Sequence, residues 1–536
     1  MNKERTKVLT STATRPLDPT DPETECVLYW MQRDVRARDN WALLFARHLA
    51  KRGGVPLRVC YALPPPPPPT GTDDDDGGDD DDDDDLPPKV TDIPMTERHG
   101  SFLLGGLKFA ERELATAGVP MEVLLPLSRS AVGDAVVGRA TSEAKGKALA
   151  VVCDFSPLRH HRDWTEGQAA PLLDAEGVPL IQVDAHNIVP VWHASPKREV
   201  GARTLRPKIN KLLPDFLTHF PAFEGNAHLA EGEGTAPPKI RKTEWDEFRR
   251  RLALDPAVPA CDWAKPGADA AMDRFAEFCS GRSPGLGLKK FAELRNDPNC
   301  QGVCSDLSPW INHGQVSFQR LALDVRAVDK YSEGKASYIE EGVVRRELSD
   351  NFCYYARDSY DSLDAAAEWA RDSLDLHASD EREYVYTLEE FEKGRTHDDL
   401  WNAAQMQLVK EGGMHGFLRM YWAKKILEWT PSPAVALRTA QYFNDRFALD
   451  GNDPNGFVGV GWSVMGIHDM GWKERPVFGK IRFMNYAGCK RKFKVDGFVA
   501  RYRGARENAI AASKKKAQGG SGKKTVSGKK RKVPST

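Results

Sequence analysis

The chain has 536 residues, of which 40% are hydrophobic and 29% charged, a composition typical of a globular protein with two or more domains. No run of about 18 apolar residues occurs, which argues against a transmembrane helix. The formal net charge of −1 hides a basic protein. Eleven aspartates lie at 73–76 and 79–85, and without them the chain carries +10. Such a charge favours a nucleic-acid partner.

The first part of the chain alternates short apolar runs with helical patterns. Residues 1–22 are polar and predict a flexible N-terminus. A helix is expected to open at Asp39 as its N-cap, and another at 102–117. Strands are predicted at 26–31, 55–61, 120–125, 148–153 and 179–183. Strands that alternate with helices predict an α/β, Rossmann-like domain with a parallel sheet over residues 23–206.

A Pro/Asp-rich stretch interrupts this pattern. Pro64–Pro69 and the aspartate run that follows cannot bury apolar area and repel themselves, so residues 63–90 predict a disordered surface insertion. Residues 207–242 have the composition of a linker. Residues 243–503 are helical in pattern and predict a second, all-α domain.

The C-terminal tail is the last predicted segment. Residues 504–536 are rich in Lys, Gly and Ser and predict disorder. The tail carries the basic cluster Lys529–Val533, which reads as a nuclear localisation signal, with a merely solubilising tail as the alternative.

The cysteines give no indication of a metal site. The nine cysteines are scattered, and the closest pair is Cys300 and Cys304, with His313 nearby. A zinc site would need a second pair at suitable spacing. We therefore predict no metal, and free or buried thiols in a reducing compartment.

Three tryptophans form a first candidate site. Trp422 and Trp429 are seven residues apart, so they share one helix face roughly 10 Å apart along the axis. Trp401 lies one helix earlier and is expected between them. Closely spaced indoles can pass an electron hole from a buried cofactor to the surface. A hydrophobic stripe that merely packs would show the same spacing.

A polar, glycine-rich segment follows a long helical pattern. Asn444, Asp450, Asn452 and Asn455 carry the carboxylate and amide groups that could read the polar edge of a planar heterocycle. An ordinary Asx-rich turn is the alternative.

A third candidate precedes a helix that begins with a proline. Ser305, Ser308 and nearby backbone amides could hold a phosphate at the helix N-terminus. The alternative is a simple helix cap.

Together and in this order, these segments resemble the class II cyclobutane pyrimidine dimer photolyases. The matching segments are Met414–Trp429, Phe443–Arg446, Asp450–Gly456, Arg345–Phe352, Ser308–Trp310, Lys480–Tyr486, Tyr29–Asp34 and Val183–Asn187. The resemblance covers about residues 25–503, apart from the Pro/Asp insertion.

The resemblance implies that the helical domain holds FAD in a U shape. The working form would be the reduced anion, FADH−. Excited by blue or near-UV light, it would donate an electron to the dimer, the cyclobutane ring would split, and the electron would return. The enzyme would then be a lyase with no net redox change. The first domain of such proteins can also hold an antenna chromophore, a deazaflavin or a folate, and no residue here decides which, or whether any is bound.

The resemblance also assigns cofactor-binding residues. Leu307 and Ser308 are expected at the FAD phosphates. Asn444 is expected beside flavin N5, where an amide can stabilise the reduced anion or the neutral radical. Arg419 and Asp450 would form an ion pair against the isoalloxazine, which is costly in a buried site unless every hydrogen bond is satisfied.

The same resemblance assigns the electron path and the lesion pocket. Trp422, Trp401 and Trp429 would form the photoreduction chain, with Trp422 nearest the flavin. The dimer would be flipped out of the duplex into a pocket. There Trp462 would stack on it and Met420 would pack against it.

Three further positions belong to the expected lesion pocket. Glu341 is the candidate to hydrogen-bond a pyrimidine carbonyl, as a protonated carboxyl in a dry pocket. Because the adjacent Glu340 leaves the register open, the alternative for Glu341 is a charge on a helix surface. Arg345 stands where other photolyase branches have a second tryptophan. Met470 stands where a polar residue is expected.

Two other functions remain open. A cryptochrome-like blue-light receptor would bind FAD and keep the tryptophan chain without repairing DNA. A helical DNA-binding protein without cofactor would be colourless when purified. The short basic tail, together with Trp462, Met420 and Glu341, favours repair. The expected partner is double-stranded DNA that contains a pyrimidine dimer. We expect a monomer that binds no membrane, is located in the nucleus, and is recognised by an import receptor through Lys529–Val533.

Overall fold

The N-terminal domain is built on one six-stranded sheet. The computed structural model describes residues 2–11, 24–67, 86–229 and 239–519. The strands are β1 (Thr6–Val8), β2 (Thr24–Met31), β3 (Leu57–Ala62), β4 (Met121–Leu124), β5 (Lys147–Asp154) and β6 (Leu180–Val183). Their spatial order is β1-β6-β5-β2-β3-β4. Neighbours run parallel except β1, which is antiparallel to β6. The predicted parallel sheet is confirmed, and each predicted strand lies within two residues of an observed one.

The N-terminal domain also contains helices. They are α1 (Trp41–Gly53), α2 (Glu97–Thr116), α3 (Val132–Ala140), α4 (Arg159–Arg162), α5 (Ala170–Ala175), α6 (Val191–Ala194) and α7 (Ala202–Phe216). The N-cap of α1 is Asn40, whose side chain accepts from the N–H groups of Ala42 and Leu43. The predicted cap, Asp39, is one residue early and has a positive φ of 52°. The predicted helix at 102–117 begins earlier, at Glu97.

The second domain is helical, as predicted. Its helices are α8 (Lys242–Arg251), α9 (Ala268–Ser280), α10 (Phe291–Leu294), α11 (Ser308–Asn312), α12 (Phe318–Ala327), α13 (Ser332–Ile339), α14 (Arg346–Tyr355), α15 (Glu368–Leu376), α16 (Leu388–Glu392), α17 (Asp399–Glu411), α18 (Gly416–Trp429), α19 (Pro433–Phe447), α20 (Pro454–Met465), α21 (Tyr486–Lys490), α22 (Val495–Val499) and α23 (Ala505–Gly519). No strand occurs among the described residues 239–519. No helix in the described part of the chain is long and apolar enough to span a membrane.

The predicted flexible N-terminus, residues 1–22, is wrong for the segment that contains β1. Arg5 is buried just before β1, and its guanidinium donates to backbone carbonyls of Ile188 (2.7 Å), Asn187 (3.0 Å) and Phe216 (3.1 Å). A short polar segment gives little strand signal. Its order comes from these distant acceptors, which local sequence does not reveal.

Part of the predicted insertion at 63–90 packs against the domain. Residues 68–85 lie outside the described residues. Leu63 is buried, and its N–H donates to the carbonyl of Leu124 (2.9 Å), which continues the pairing of β3 with β4. A short 3-10 turn spans Val90–Asp92 on the other side. The prediction extended too far at both ends because Pro-rich composition conceals pairing by flanking residues.

The predicted linker at 207–242 begins with a helix. Residues 207–216 belong to α7, whose Leu205, Ile209 and Leu213 recur at helical spacing and are buried. This apolar periodicity outweighs the prolines that suggested a connector. Residues 230–238 lie outside the described residues.

The predicted disordered tail at 504–536 also begins with a helix, α23. Ala505 and Ala509 are buried, and the carbonyl of Ala505 accepts from the Asn402 side chain (3.2 Å). Packing of these alanines on α17 orders a segment whose composition alone predicts disorder. The cluster Lys529–Val533 lies outside the described residues.

Candidate active site

Four helices of the second domain surround a narrow slot. Its enclosed part has a volume of about 40 Å³. The slot is lined by Leu408, Met414, Arg419, Trp422, Ala423, Asn444, Asn455, Gly456, Gly459 and Val460. The wall on α20 carries no side chain at Gly459, where an added Cβ would meet no heavy atom within 4 Å. At Gly459 a ligand can therefore lie directly against the α20 backbone.

One edge of the slot is polar and fully hydrogen-bonded. Arg419 Nη2 donates to both Asp450 oxygens (2.7 and 3.1 Å), and Nη1 donates to Asn444 Oδ1 (3.1 Å). Arg419 Nε donates to the carbonyl of Met414 (3.1 Å). Asn444 Nδ2 donates to Asp445 (2.8 Å). The predicted ion pair is confirmed, and it is only partly buried, with the side chains of Arg419 and Asp450 30% and 15% exposed.

The charge of Asp450 is stabilised locally. Burial raises the pKa of this carboxyl, but the Arg419 charge and a hydrogen bond from Ser308 outweigh it and hold the pKa below its ordinary value. The neighbouring Asp445 differs, since burial raises its pKa to about 6. At this edge of the slot, the pKa of Asp450 is lowered by its ion pair with Arg419, whereas the pKa of Asp445 is raised to about 6.

Ser308 and Leu307 lie where the chain enters α11. Ser308 is solvent-exposed and Leu307 is buried. Because the Ser308 hydroxyl contacts the Asp450 carboxylate, this segment borders the polar edge of the slot. Hydroxyl, amide and guanidinium groups there form a donor set that fits the oxygen-rich chain of a dinucleotide cofactor.

The three tryptophans lie in sequence across α17 and α18. Trp422 lines the slot, and its Nε1 donates to Gln405 Oε1 (2.8 Å). Trp401 Nε1 donates to the carbonyl of Trp422 (3.0 Å), and the Trp401 and Trp429 rings are 6.0 Å apart. Trp401 thus lies between the other two, as expected.

The distal end of the tryptophan series is buried, although an exit to the surface was expected. Trp429 is only 2% exposed and is covered by His397 (4.8 Å between ring centroids) and Tyr386 (5.8 Å). Tyr386 Oη lies 2.7 Å from His397 Nδ1, and Tyr384 stacks on His397 at 3.6 Å. These three residues were missed from sequence. The closely spaced pair Tyr384 and Tyr386 was the available signal.

Two of the residues expected to contact a lesion lie on helices that line the slot. Trp462 on α20 and Met420 on α18 are both half-buried. Arg345 is 54% exposed and ends a π-helical turn, Glu340–Arg345. Met470 is exposed. The structure therefore leaves these side chains accessible to a ligand.

Glu341 does not have the dry surroundings that were predicted for it. Its carboxylate is 37% exposed and pairs with Arg295 (2.8 Å). The adjacent Glu340 instead accepts two hydrogen bonds from Arg206 (2.9 and 2.6 Å) and approaches Arg345 (3.4 Å). The predicted dry pocket around Glu341 is therefore wrong, because an arginine from a distant segment pairs with its partly exposed carboxylate.

A second cavity, of about 480 Å³, lies between the sheet and the helical domain. It adjoins the carboxyl ends of the parallel strands, where doubly wound sheets bind ligands. Gln32 lines it, is 7% exposed, and has no hydrogen-bond partner for either amide atom among the described residues. His160, His161 and Trp164 also line it, and burial lowers the pKa of His160 to about 4. An unpartnered amide beside neutral aromatic rings fits a planar polar ligand.

No metal centre accompanies these cavities in the described segments. Among residues 2–11, 24–67, 86–229 and 239–519, no group of three or more His, Cys, Asp or Glu side chains is placed to hold a metal ion.

Comparisons with known proteins agree with this arrangement. The family model described as DNA photolyase matches residues 27–225. The deoxyribodipyrimidine photo-lyase of Potorous tridactylus is 45% identical over 477 residues, which cover 89% of this chain and 81% of that protein. That of Arabidopsis thaliana is 42% identical over 509 residues, or 92% of each chain. That of Oryza sativa subsp. japonica is 42% identical over 477 residues, or 88% and 87%.

Solved structures are similar in fold at low sequence identity. A class III photolyase from Agrobacterium tumefaciens has a TM-score of 0.62 at 19% identity, over 90% of this chain and 87% of its own. A cryptochrome from Synechocystis sp. has a TM-score of 0.64 at 13% identity, over 92% and 94%. Given the long matches to its relatives, the chain belongs to the photolyase/cryptochrome family, among the deoxyribodipyrimidine photo-lyases.

Proposed function

We propose that this protein is a flavoenzyme that repairs cyclobutane pyrimidine dimers in DNA under light. The observation that carries the proposal is one slot in which Trp422, the Arg419–Asp450 ion pair and Asn444 meet a bare surface at Gly459. The slot opens beside Trp462 on the next turn of α20. Cofactor and lesion residues thus lie on the same helices.

The residues of the slot would bind FAD along α20. When bound in its reduced form, FAD supplies to the dimer the electron that splits the cyclobutane ring and takes it back. Arg419 and Asp450 would orient the ring system, and Asn444 would contact its N5 edge. Leu307 and Ser308 would hold the phosphate end. Because Arg419 is held by four hydrogen bonds, this edge is organised before the cofactor arrives.

We further propose that the three tryptophans deliver electrons to the cofactor site. Trp422 would be the proximal member, Trp401 the middle one and Trp429 the distal one. The support is their order and the 6.0 Å separation of the last two rings. Tyr386 and His397 cover the distal end, so an external reductant must act through or beside them.

The lesion pocket would lie at the slot opening. Trp462 would stack on the flipped dimer and Met420 would pack against it, since both keep accessible apolar surface. Glu341 would contact a pyrimidine carbonyl only after leaving Arg295. Arg345 is free enough to contact a phosphate or the lesion.

We propose that the 480 Å³ cavity holds an antenna chromophore, either a deazaflavin or a folate. Both are planar, polar heterocycles. The unpartnered Gln32 amide can both donate and accept on such an edge, and Trp164, His160 and His161 supply aromatic contacts.

Repair rather than pure light reception is favoured by the accessible surface beside the slot. The fold is shared with a cryptochrome, so fold alone does not separate the two activities. Trp462 and Met420, on helices that line the slot, and the exposed Arg345 offer stacking, apolar and charged contacts. A receptor that binds no lesion would have no need of them.

The proposed partner is double-stranded DNA that contains a pyrimidine dimer. We propose that the protein acts as a monomer, which light scattering tests by a mass near that of one 59.6 kDa chain. We also propose that it acts in the nucleus, with Lys529–Val533 bound by an import receptor.

A repair assay tests the main proposal. Purified protein under reducing conditions should restore the two thymines of a dimer-containing oligonucleotide in blue light and not in darkness. Trp462→Ala should weaken binding to the dimer about tenfold or more, since stacking on one base contributes about 1–3 kcal/mol. Trp263→Ala, a partly exposed tryptophan elsewhere, should bind as wild type does. A flavin-bearing protein that repairs nothing in light would contradict the proposal.

Filling the slot tests the cofactor site. Gly459→Leu should lower the flavin content of the purified protein severalfold, because the added side chain occupies the bare surface of α20. Gly138→Leu is the matched control, since Gly138 is also helical, exposed and without neighbours within 4 Å of an added Cβ. Absorbance of flavin relative to protein gives the result. Equal flavin content in both variants would place the ring elsewhere.

Removing the unpartnered amide tests the antenna cavity. Gln32→Leu should lose most binding of an added deazaflavin or folate while keeping its FAD, as measured by absorption after reconstitution. Gln301→Leu, at a solvent-exposed glutamine, serves as control. If Gln32→Leu binds either compound as wild type does, or if wild type binds neither, the antenna assignment fails.

A fusion to a fluorescent protein tests the basic cluster. Replacing Lys529, Lys530, Arg531 and Lys532 with alanine should shift fluorescence from the nucleus to the whole cell. Unchanged nuclear accumulation would show that import uses another part of the chain.

A further inference from the structure

Lys424 is a buried lysine whose ammonium group donates a hydrogen bond to a backbone carbonyl. It lies in α18, one helical turn after Met420, and its side chain is fully buried. Its Nζ donates to the backbone carbonyl of Ser463 on α20 (3.0 Å). Lysine is almost never fully buried unless it is paired, so this position calls for another interaction that stabilises the ammonium.

That interaction is with the tryptophan expected to stack on the lesion. Lys424 Nζ lies 4.5 Å from the centroid of the Trp462 ring, within the range of a cation–π contact. The Arg482 guanidinium carbon is 5.7 Å from the same ring and 4.3 Å from that of Trp472. Because Lys424 comes from the buried side of α18, it contacts the indole from within the protein. The accessible part of the indole remains available to a ligand.

The charged groups that act on Lys424 lie in the segment after α20. Burial lowers the pKa of Lys424 to about 7, Asp469 raises it, and Arg482 lowers it further. His468 lies in the same segment, and burial lowers its pKa to about 4, so it stays neutral near pH 7. On α18 itself, Lys425 pairs with Glu428 (2.5 Å).

We propose that Lys424 is a positioning residue for lesion recognition, in which its ammonium group fixes the plane of the Trp462 indole through a cation–π contact. This inference rests on the proposed function, because it assigns the lesion as the ligand of Trp462. The contact exists only while the amine is protonated. Recognition of the dimer is therefore strongest below pH 7 and weakens as the pH rises through about 7.

Binding in darkness tests the effect on recognition. Fluorescence anisotropy would give Kd for a dimer-containing duplex and for the same undamaged duplex, between about pH 6 and about pH 8.5, a range around the expected titration. In the ratio of the two Kd values, the contribution from the general attraction of any DNA to a basic protein cancels. In wild type the preference for the dimer should fall about fivefold across this range.

Three variants separate charge from packing. Lys424→Met should show a low preference that does not change with pH. Lys424→Arg, whose charge persists throughout, should keep a high preference at both ends. Lys425→Met is the matched control on the same helix and should follow wild type. If Lys424→Met keeps the wild-type pH dependence, or Lys424→Arg loses its preference at low and high pH alike, the proposal is wrong.

A second readout does not require DNA. With 5-fluorotryptophan incorporated, the ¹⁹F signal of Trp462, identified by Trp462→Phe, should shift in wild type with a midpoint near pH 7. It should stay constant in Lys424→Arg. A wild-type signal that does not titrate overturns the proposal even if the variants fold poorly. If the signal titrates but the protein shows no preference for the dimer, the Lys424–Trp462 contact would stand. The lesion would then be ruled out as the ligand of Trp462.

Discussion

The position of the active site depends on a buried ion pair between the two domains. Arg33, just after β2, donates to Asp350 on α14 (2.6 Å) and lies 3.6 Å from Asp453. Burial alone would raise the pKa of Asp350, but the Arg33 charge outweighs it and lowers that pKa. Because Asp453 is also the N-cap of α20, one guanidinium joins the sheet to the helix that carries Gly459 and Trp462.

This arrangement makes the two cavities neighbours that share a wall. Arg33 and Gln32 line the larger cavity, and the helix that begins after Asp453 lines the slot. Removing one partner of a buried ion pair typically costs about 3–5 kcal/mol because the other charge stays buried. Loss of Arg33 would therefore disturb both sites at once. It would do so by changing how the two domains are positioned, not by removing a contact to either ligand.

Sequence patterns predicted the parallel sheet and the helical domain because apolar periodicity is local. The resemblance predicted the Arg419–Asp450 pair and the order of the tryptophans because long motifs preserve such contacts. What sequence missed depends on distant partners. Glu341 forms an ion pair with Arg295, β1 is ordered through Arg5, and no local signal distinguishes such partners. The helices at 207–216 and 505–519 were missed for a related reason, since composition concealed their buried faces.

Helix α18 is the element on which the separate tasks converge. Arg419 and Trp422 line the slot, Lys424 contacts Trp462, and Trp429 ends the aromatic series. An α-helix repeats every 3.6 residues, so Trp429 lies about two turns beyond Trp422 on the same side of α18, and Lys424 lies on another side. Flavin, lesion and electron path would thus be kept in fixed relation by a helix of 14 residues. A shift of α18 would disturb all three together, and contacts with α17, α19 and α20 hold it in place.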